Sequence, residues 1–130
     1  MRLEILIDEK KNKIYSPIKK QWFVKTPEEE VRQEYICRLV NDYGFSLDQM
    51  KQEVTVSNSS RGQGRAQADI VVWKSKEDKN NDISPVIVVE CKAENITIRE
   101  EDCFQGANYA SWAGADFFVT TNLKETRIFK

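Results

Sequence analysis

Ala68-Asp69-Ile70-Val71-Val72-Trp73 and Val86-Ile87-Val88-Val89-Glu90-Cys91-Lys92-Ala93 are the stretches on which the fold turns. Each is a short apolar run rich in β-branched residues, which reads as a buried strand, and each carries charge at one end. Side chains alternate along a strand, so Glu90 and Lys92 share one face while Val89 and Cys91 take the other. A hairpin between the runs sets Asp69 beside Glu90. Two carboxylates and an ammonium then meet at the edge of an apolar sheet, where ionised groups are costly unless they pair or hold a metal. Taken alone, an Asp…Glu-x-Lys pattern is as readily an ordinary salt bridge at a strand end. The surroundings must decide.

The chain has 130 residues, 40% apolar and 32% charged, which suits one soluble domain with a real core. It contains no histidine. That excludes Ser-His-Asp and Cys-His hydrolases and histidine-ligated zinc, so acid–base or metal chemistry must run on carboxylates and lysine. Oxygen-only ligands favour magnesium, manganese or calcium. Cys37, Cys91 and Cys103 are widely spaced, form no CxxC pair and sit in apolar patterns; they read as buried thiols in a reducing compartment. No apolar run is long enough for a membrane helix, and the acids among residues 1–8 do not suit a secretory signal. A cytoplasmic protein is expected.

The net charge of −1 gives no global signature of nucleic-acid binding, but residues 1–25 hold seven Lys/Arg against three acids. This segment reads as a basic arm packed on the core: a short strand over 1–7, a charged turn at Lys10–Lys13, then an extended stretch from Ile14 to Val24. Residues 26–130 read as the body of the same single domain.

Thr26-Pro27-Glu28-Glu29-Glu30 is a helix start, with Thr26 as N-cap, proline at the first helical position and acids at the positive end of the dipole. Val31, Tyr35, Ile36, Leu39, Val40 and Tyr43 follow at helical spacing, and Gly44 ends the helix. On the helical wheel Glu28 lies within the apolar face, Glu29 at its edge and Glu30 away from it. A short helical turn at Leu47–Met50, a strand at Glu53–Val56, a flexible turn from Ser57 to Gly64 and a strand from Arg65 to Trp73 come next. Lys74 to Ser84 reads as a polar, irregular connection to a strand over Pro85–Ala93. A second helix from about Arg99 to Trp112 buries Cys103, Phe104, Ala107 and Ala110 and carries Gln105, Tyr109 and Trp112 on a neighbouring stripe. Asp116–Asn122 is a last core strand, and Thr126–Phe129 an edge strand. The order is helix, three strands, helix, strand: an α/β sandwich on a mixed sheet.

An acidic helix start, Asp69 on one core strand, Glu90-x-Lys92 on the next and Gln105/Tyr109 on the following helix together resemble the PD-(D/E)xK nuclease superfamily. More closely they resemble the N-terminal nuclease domain of type I restriction enzyme R (restriction) subunits. The matching stretches are Thr26–Gln33, Arg65–Val72, Val88–Ala93, Gln105–Tyr109 and Val119–Asn122, with Ala68-Asp69 where the superfamily has Pro-Asp. The resemblance implies a restriction-endonuclease-like sheet flanked by helices, with an αβββαβ core. It implies magnesium- or manganese-dependent hydrolysis of double-stranded DNA. Asp69 and Glu90, with the Cys91 carbonyl, would hold the cation, and Lys92 would orient the attacking water and stabilise charge. A helix-start acid, Glu29 by resemblance or Glu28 by the wheel, would join them. Gln105 and Tyr109 would touch the DNA backbone. Arg65 and Arg32 would contact phosphate or pair with the site acids.

Three readings stay open: an endonuclease, a nuclease-fold module that only binds DNA or partner subunits, and a plain α/β domain. No GxxxxGK[ST] loop is present, so any ATP dependence belongs to motor domains that this chain lacks. A cut-down or stand-alone nuclease-like protein is expected, with the specificity and methylation subunits of a restriction complex as partners.

Overall fold

A computed structural model describes residues 2–57, 65–103 and 114–130. Helix α1 spans Pro27–Asn41, and the chain makes a 3-10 turn at Leu47–Gln49. Strands β4 (Met50–Ser57), β5 (Arg65–Val72), β6 (Ile87–Cys91), β7 (Phe117–Thr121) and β8 (Thr126–Phe129) then form one sheet in the order β4-β5-β6-β7-β8. β6 and β7 are parallel and the other neighbours antiparallel, so the sheet is mixed, as expected. No helix among the described residues is long and apolar enough to cross a membrane.

The sequence signals at α1 act as read. Thr26 Oγ1 accepts from the Glu29 amide at 3.1 Å, Pro27 opens the helix, and Gly44 takes a left-handed φ of +81° just past its end. Val31, Tyr35, Ile36 and Leu39 pack on Met50, Ile70, Val72, Val89, Cys91 and Val119. The other sheet face carries Ala68, Val71, Trp73, Val88 and Phe118. All three cysteines are free; Cys91 and Cys103 are buried and Cys37 partly so.

Two expectations change. Residues 1–25 are no simple arm: β1 (Ile7–Asp8), β2 (Lys13–Ser16) and β3 (Gln21–Val24) make an antiparallel sheet of their own, and the first strand is confined to Ile7–Asp8 instead of 1–7. Asn12 and Lys20, at φ +53° and +57°, supply the left-handed turn residues that reverse the chain on either side of β2. The connection from Lys74 to Ser84 contains a helix, α2 (Lys76–Asn80), because Ser75 caps it through the Asp78 amide at 3.0 Å. Of the second helix expected from about Arg99 to Trp112, residues 100–103 are helical, and residues 104–113 lie outside the described residues.

Strand alternation slips once. Ile70 and Val72 lie under α1, whereas Val71 and Ala68, three residues apart, both lie on the opposite face. The slip falls at Asp69. The β4–β5 ladder pairs Gln52 with Ile70 and Val54 with Ala68, skipping Glu53, which holds a left-handed φ of +54°. Such strain in a non-glycine residue persists only where its surroundings enforce it.

Candidate active site

Glu53 is held by Lys19 at 3.3 Å and by a guanidinium that gathers the neighbouring acids. Arg32, one turn into α1, donates to Glu29 at 2.5 Å, to Glu53 at 3.0 Å and to Asp69 at 2.7 Å. It thereby ties together α1, β4 and β5. Glu29, Arg32 and Asp69 are buried, at 7%, 8% and 8% exposure, so the carboxylates are compensated by charge and not by water. Gln33 donates to Glu29 at 2.8 Å and to Gln52 at 3.1 Å, and Ser16 of β2 donates to Gln52 at 2.5 Å. The polar layer thus runs from the N-terminal sheet to Asp69. Burial works against the Arg32 charge, but Asp69, Glu29 and Glu53 outweigh it and raise its pKa further above the ordinary arginine value.

Asp69 has a second bond. The β5–β6 ladder pairs Ile70 with Val89, and one step further along that register Asp69 falls opposite Glu90. There the Asp69 side chain takes over from the backbone, and its Oδ2 accepts the Cys91 amide at 2.7 Å. Glu90 points to the sheet face that carries Val88, beside Thr120 of β7. Its carboxyl is raised above the ordinary value by burial, with the Asp69 charge adding to the shift and Lys92 opposing it. Lys92 lies 3.4 Å from Glu90 and 3.7 Å from Asp102. Burial disfavours its ammonium, but Glu90, Asp102 and Glu28 prevail and hold its pKa above the usual lysine value.

Of the helix-start acids, Glu29 is the buried one and Glu30 pairs with Lys25 at 3.4 Å. The wheel put Glu28 in the apolar face, yet Glu28 is exposed. A wheel drawn from apolar residues misses that α1 buries polar side chains, Glu29, Arg32 and Gln33 among them. Even so, Glu28 lies within electrostatic reach of Asp69 and Lys92. Its carboxyl is raised, first by desolvation and then by Asp69, with Arg32 and Lys92 pulling it down.

The structure therefore sets Asp69 and Lys92 each within electrostatic reach of both Glu28 and Glu90, and commits Glu29 and Arg32 to the buried layer. Arg32, placed by its sequence position as a phosphate or carboxylate contact, is a carboxylate contact. Arg65 opens β5 opposite Ser57. Gln105 and Tyr109 lie outside the described residues.

The model for the type I restriction enzyme R protein N terminus matches residues 27–130. The chain belongs to that family. No curated protein and no solved structure matches it.

For a member of the R protein N-terminal family, a hard divalent cation is the implied cofactor. The donors fit one. Glu28 and Glu90 are both raised first by burial, with the Asp69 charge adding a repulsion that a cation would relieve, and every donor is an oxygen. Among the described residues no three acid, cysteine or histidine side chains form a ready cage. Magnesium asks for less, one or two carboxylates with water and phosphate completing its shell.

Sequence reasoning missed Asp102 and Glu53. Asp102 had a local signal: it stands three residues after Arg99, whose amide it accepts at 2.9 Å, the mark of an acid in the first turn of a helix. Glu53 had none, since its part depends on the strained backbone opposite Asp69.

The raised Glu90 carboxyl has a measurable consequence. A carboxyl whose folded-state pKa exceeds its unfolded value favours the fold fully below that unfolded value, and the benefit is lost as pH rises through the folded value. Metal-free Glu90→Gln protein is therefore expected to melt above the parent at pH 7, and the gap should close below about pH 4, where both unfolded and folded carboxyls are protonated. Thermal melts across that range in chelator check it. A variant melting below the parent at pH 7 would mean that the Lys92 pair outweighs burial.

Proposed function

We propose that this chain is the metal-dependent endonuclease module of a type I restriction R subunit, hydrolysing phosphodiester bonds of double-stranded DNA. The observation that carries the reading is the gathering of Asp69, Glu90 and Lys92 where the β5–β6 ladder ends, with Glu28 of α1 within electrostatic reach of Asp69 and Lys92. Asp69 and Glu90, aided by the Cys91 carbonyl, would hold Mg2+ or Mn2+, and the cation would supply charge to polarise a phosphate and make bound water more acidic. Arg32 is the positioning residue that fixes Asp69 Oδ1, while the Cys91 amide fixes Oδ2, leaving lone pairs on both oxygens free. Lys92 keeps its proton and acts as a fixed positive charge beside the phosphate, where negative charge grows in the transition state. Glu28 orients water at the solvent side of the site. Gln105, Tyr109 and Arg65 are assigned to the DNA backbone. Phosphate contacts of this kind position the duplex without reading its sequence, a task that falls to the specificity and methylation subunits. ATP use belongs to motor domains outside this chain.

The test is nicking of supercoiled plasmid in Mg2+ or Mn2+, with Asp69→Asn checked for folding by its melt. We expect wild-type nicking, at least a hundredfold less in the variant, and a rise in melting midpoint with Mn2+ in wild type alone. Nicking that survives in both Asp69→Asn and Lys92→Ala would place the chemistry elsewhere.

One observation favours a second reading, a nuclease-fold module that binds DNA or partner subunits without cutting: Arg32 already neutralises Asp69. Under that reading wild type binds labelled duplex in Ca2+ and fails to nick plasmid whichever divalent ion is supplied.

A further inference from the structure

The N-terminal sheet precedes the family match, which begins at residue 27, and the polar layer gives it no chemistry of its own. Its inner face is used: Ile14 and Ser16 are buried against the body. Its outer face is more open among the described residues. Register places Lys13 beside Val24 and Tyr15 beside Trp22, and it sets Asp8 beside Lys13. Tyr15 and Trp22 meet edge to face at 5.3 Å, yet the Trp22 residue stays 45% exposed and Val24 58%. An indole left this open on a small domain is a surface made for contact.

Charge says what would contact it. Lys10 and Lys11 stand at the turn before β2 and Lys19 and Lys20 at the turn after it, all exposed. Lys19 is engaged by Glu53 at 3.3 Å. Lys10, Lys11, Lys13 and Lys20 have no ion pair among the described residues, and the acids of this segment are Glu4, Asp8 and Glu9. The sheet is tied to the body beside the candidate site, through its inner side and the turn after β2. Ser16 bonds Gln52, and Lys19 bonds Glu53, which bonds Arg32 and through it Asp69.

We propose that the outer face of β1–β2–β3 binds single-stranded DNA, with one unpaired base stacked on Trp22 and Tyr15 and the backbone phosphates neutralised by Lys13 and Lys20. Aromatic groups framed by cations are the ordinary means of holding a strand whose bases are free, because every base has a face to stack and every phosphate a charge. The choice of DNA rests on the proposed function; the stacking and charge do not.

The experiment is fluorescence anisotropy of a labelled 20-nucleotide thymidine strand and a 20-base-pair duplex, in chelator, across a salt series. Trp22→Ala should weaken strand binding about tenfold, and Trp22→Phe should restore most of it. Lys13→Glu with Lys20→Glu should reduce the salt slope by about 1.4, two phosphates at roughly 0.7 each. Strand binding unchanged in Trp22→Ala overturns the proposal. So does a dimer in sedimentation that Trp22→Ala dissolves while strand affinity stays the same, which would give the face to a second copy. The outcomes separate from those for the nuclease: wild type that nicks plasmid while Trp22→Ala binds the strand normally sinks only this inference. Trp22-dependent binding by a wild type that never nicks sinks only the nuclease reading.

Discussion

Replacing Arg32 by methionine is expected to lower the melting midpoint by roughly 10–15 °C at pH 7. Methionine keeps an unbranched apolar stem, so the packing of the arginine stem is largely retained. What is lost is the one cation shared by Glu29, Glu53 and Asp69. Removing one partner from a buried ion pair costs about 3–5 kcal/mol, because the charge left behind has neither water nor counterion. In a domain of this size each kcal/mol is worth about 3–4 °C. Lysine at this position should recover only part of the loss, since a single ammonium cannot reach three carboxylates as a planar fork does. Mn2+ should raise the midpoint of the methionine variant by more than it raises wild type, as a divalent ion takes over charge that Arg32 supplied to Asp69. A methionine variant melting within about 2 °C of the parent would mean that the polar layer contributes specificity of packing and almost no stability.

Lys92→Ala is expected to do the reverse, cutting plasmid nicking by about a hundred- to a thousandfold while moving the melting midpoint by no more than 1–2 °C. Its ammonium is partly exposed and its pairs with Glu90 and Asp102 are long, at 3.4 and 3.7 Å. Pairs of that kind contribute about 0–1 kcal/mol. Losing a fixed charge aimed at a developing oxyanion costs about 3–4 kcal/mol of barrier. Single-turnover nicking rates beside thermal melts separate the two effects. Equal losses in rate and stability would make Lys92 a structural cation.

The contrast between these residues shows what could be read in the chain. The α1 cap, the strands around Asp69 and Glu90, the parallel return to Phe117–Thr121 and the edge strand all follow from local signals: a Thr-Pro-acid start, β-branched runs, turn residues. The placing of Asp69 beside Glu90 came from reading the two runs as a hairpin, and the pairing of Ile70 with Val89 puts the two acids one step along the same register. Periodicity failed where polar residues are buried. Glu29, Arg32 and Gln33 look like a solvated face until their partners Glu53, Asp69 and Gln52 arrive from distant strands. The N-terminal sheet was read as an arm because its strands are only two to four residues long and its turns depend on left-handed Asn12 and Lys20, which carry no glycine flag.

One hydrogen bond turns the site into its own reporter. The Cys91 amide is held by a carboxylate oxygen and not by a neighbouring peptide. Its proton resonance and its exchange with deuterium therefore follow whatever engages Asp69, while the amides beside it in β6 follow only the sheet. A single backbone signal in a nuclear magnetic resonance spectrum would then record loading of the site directly, in a protein that has no histidine to watch.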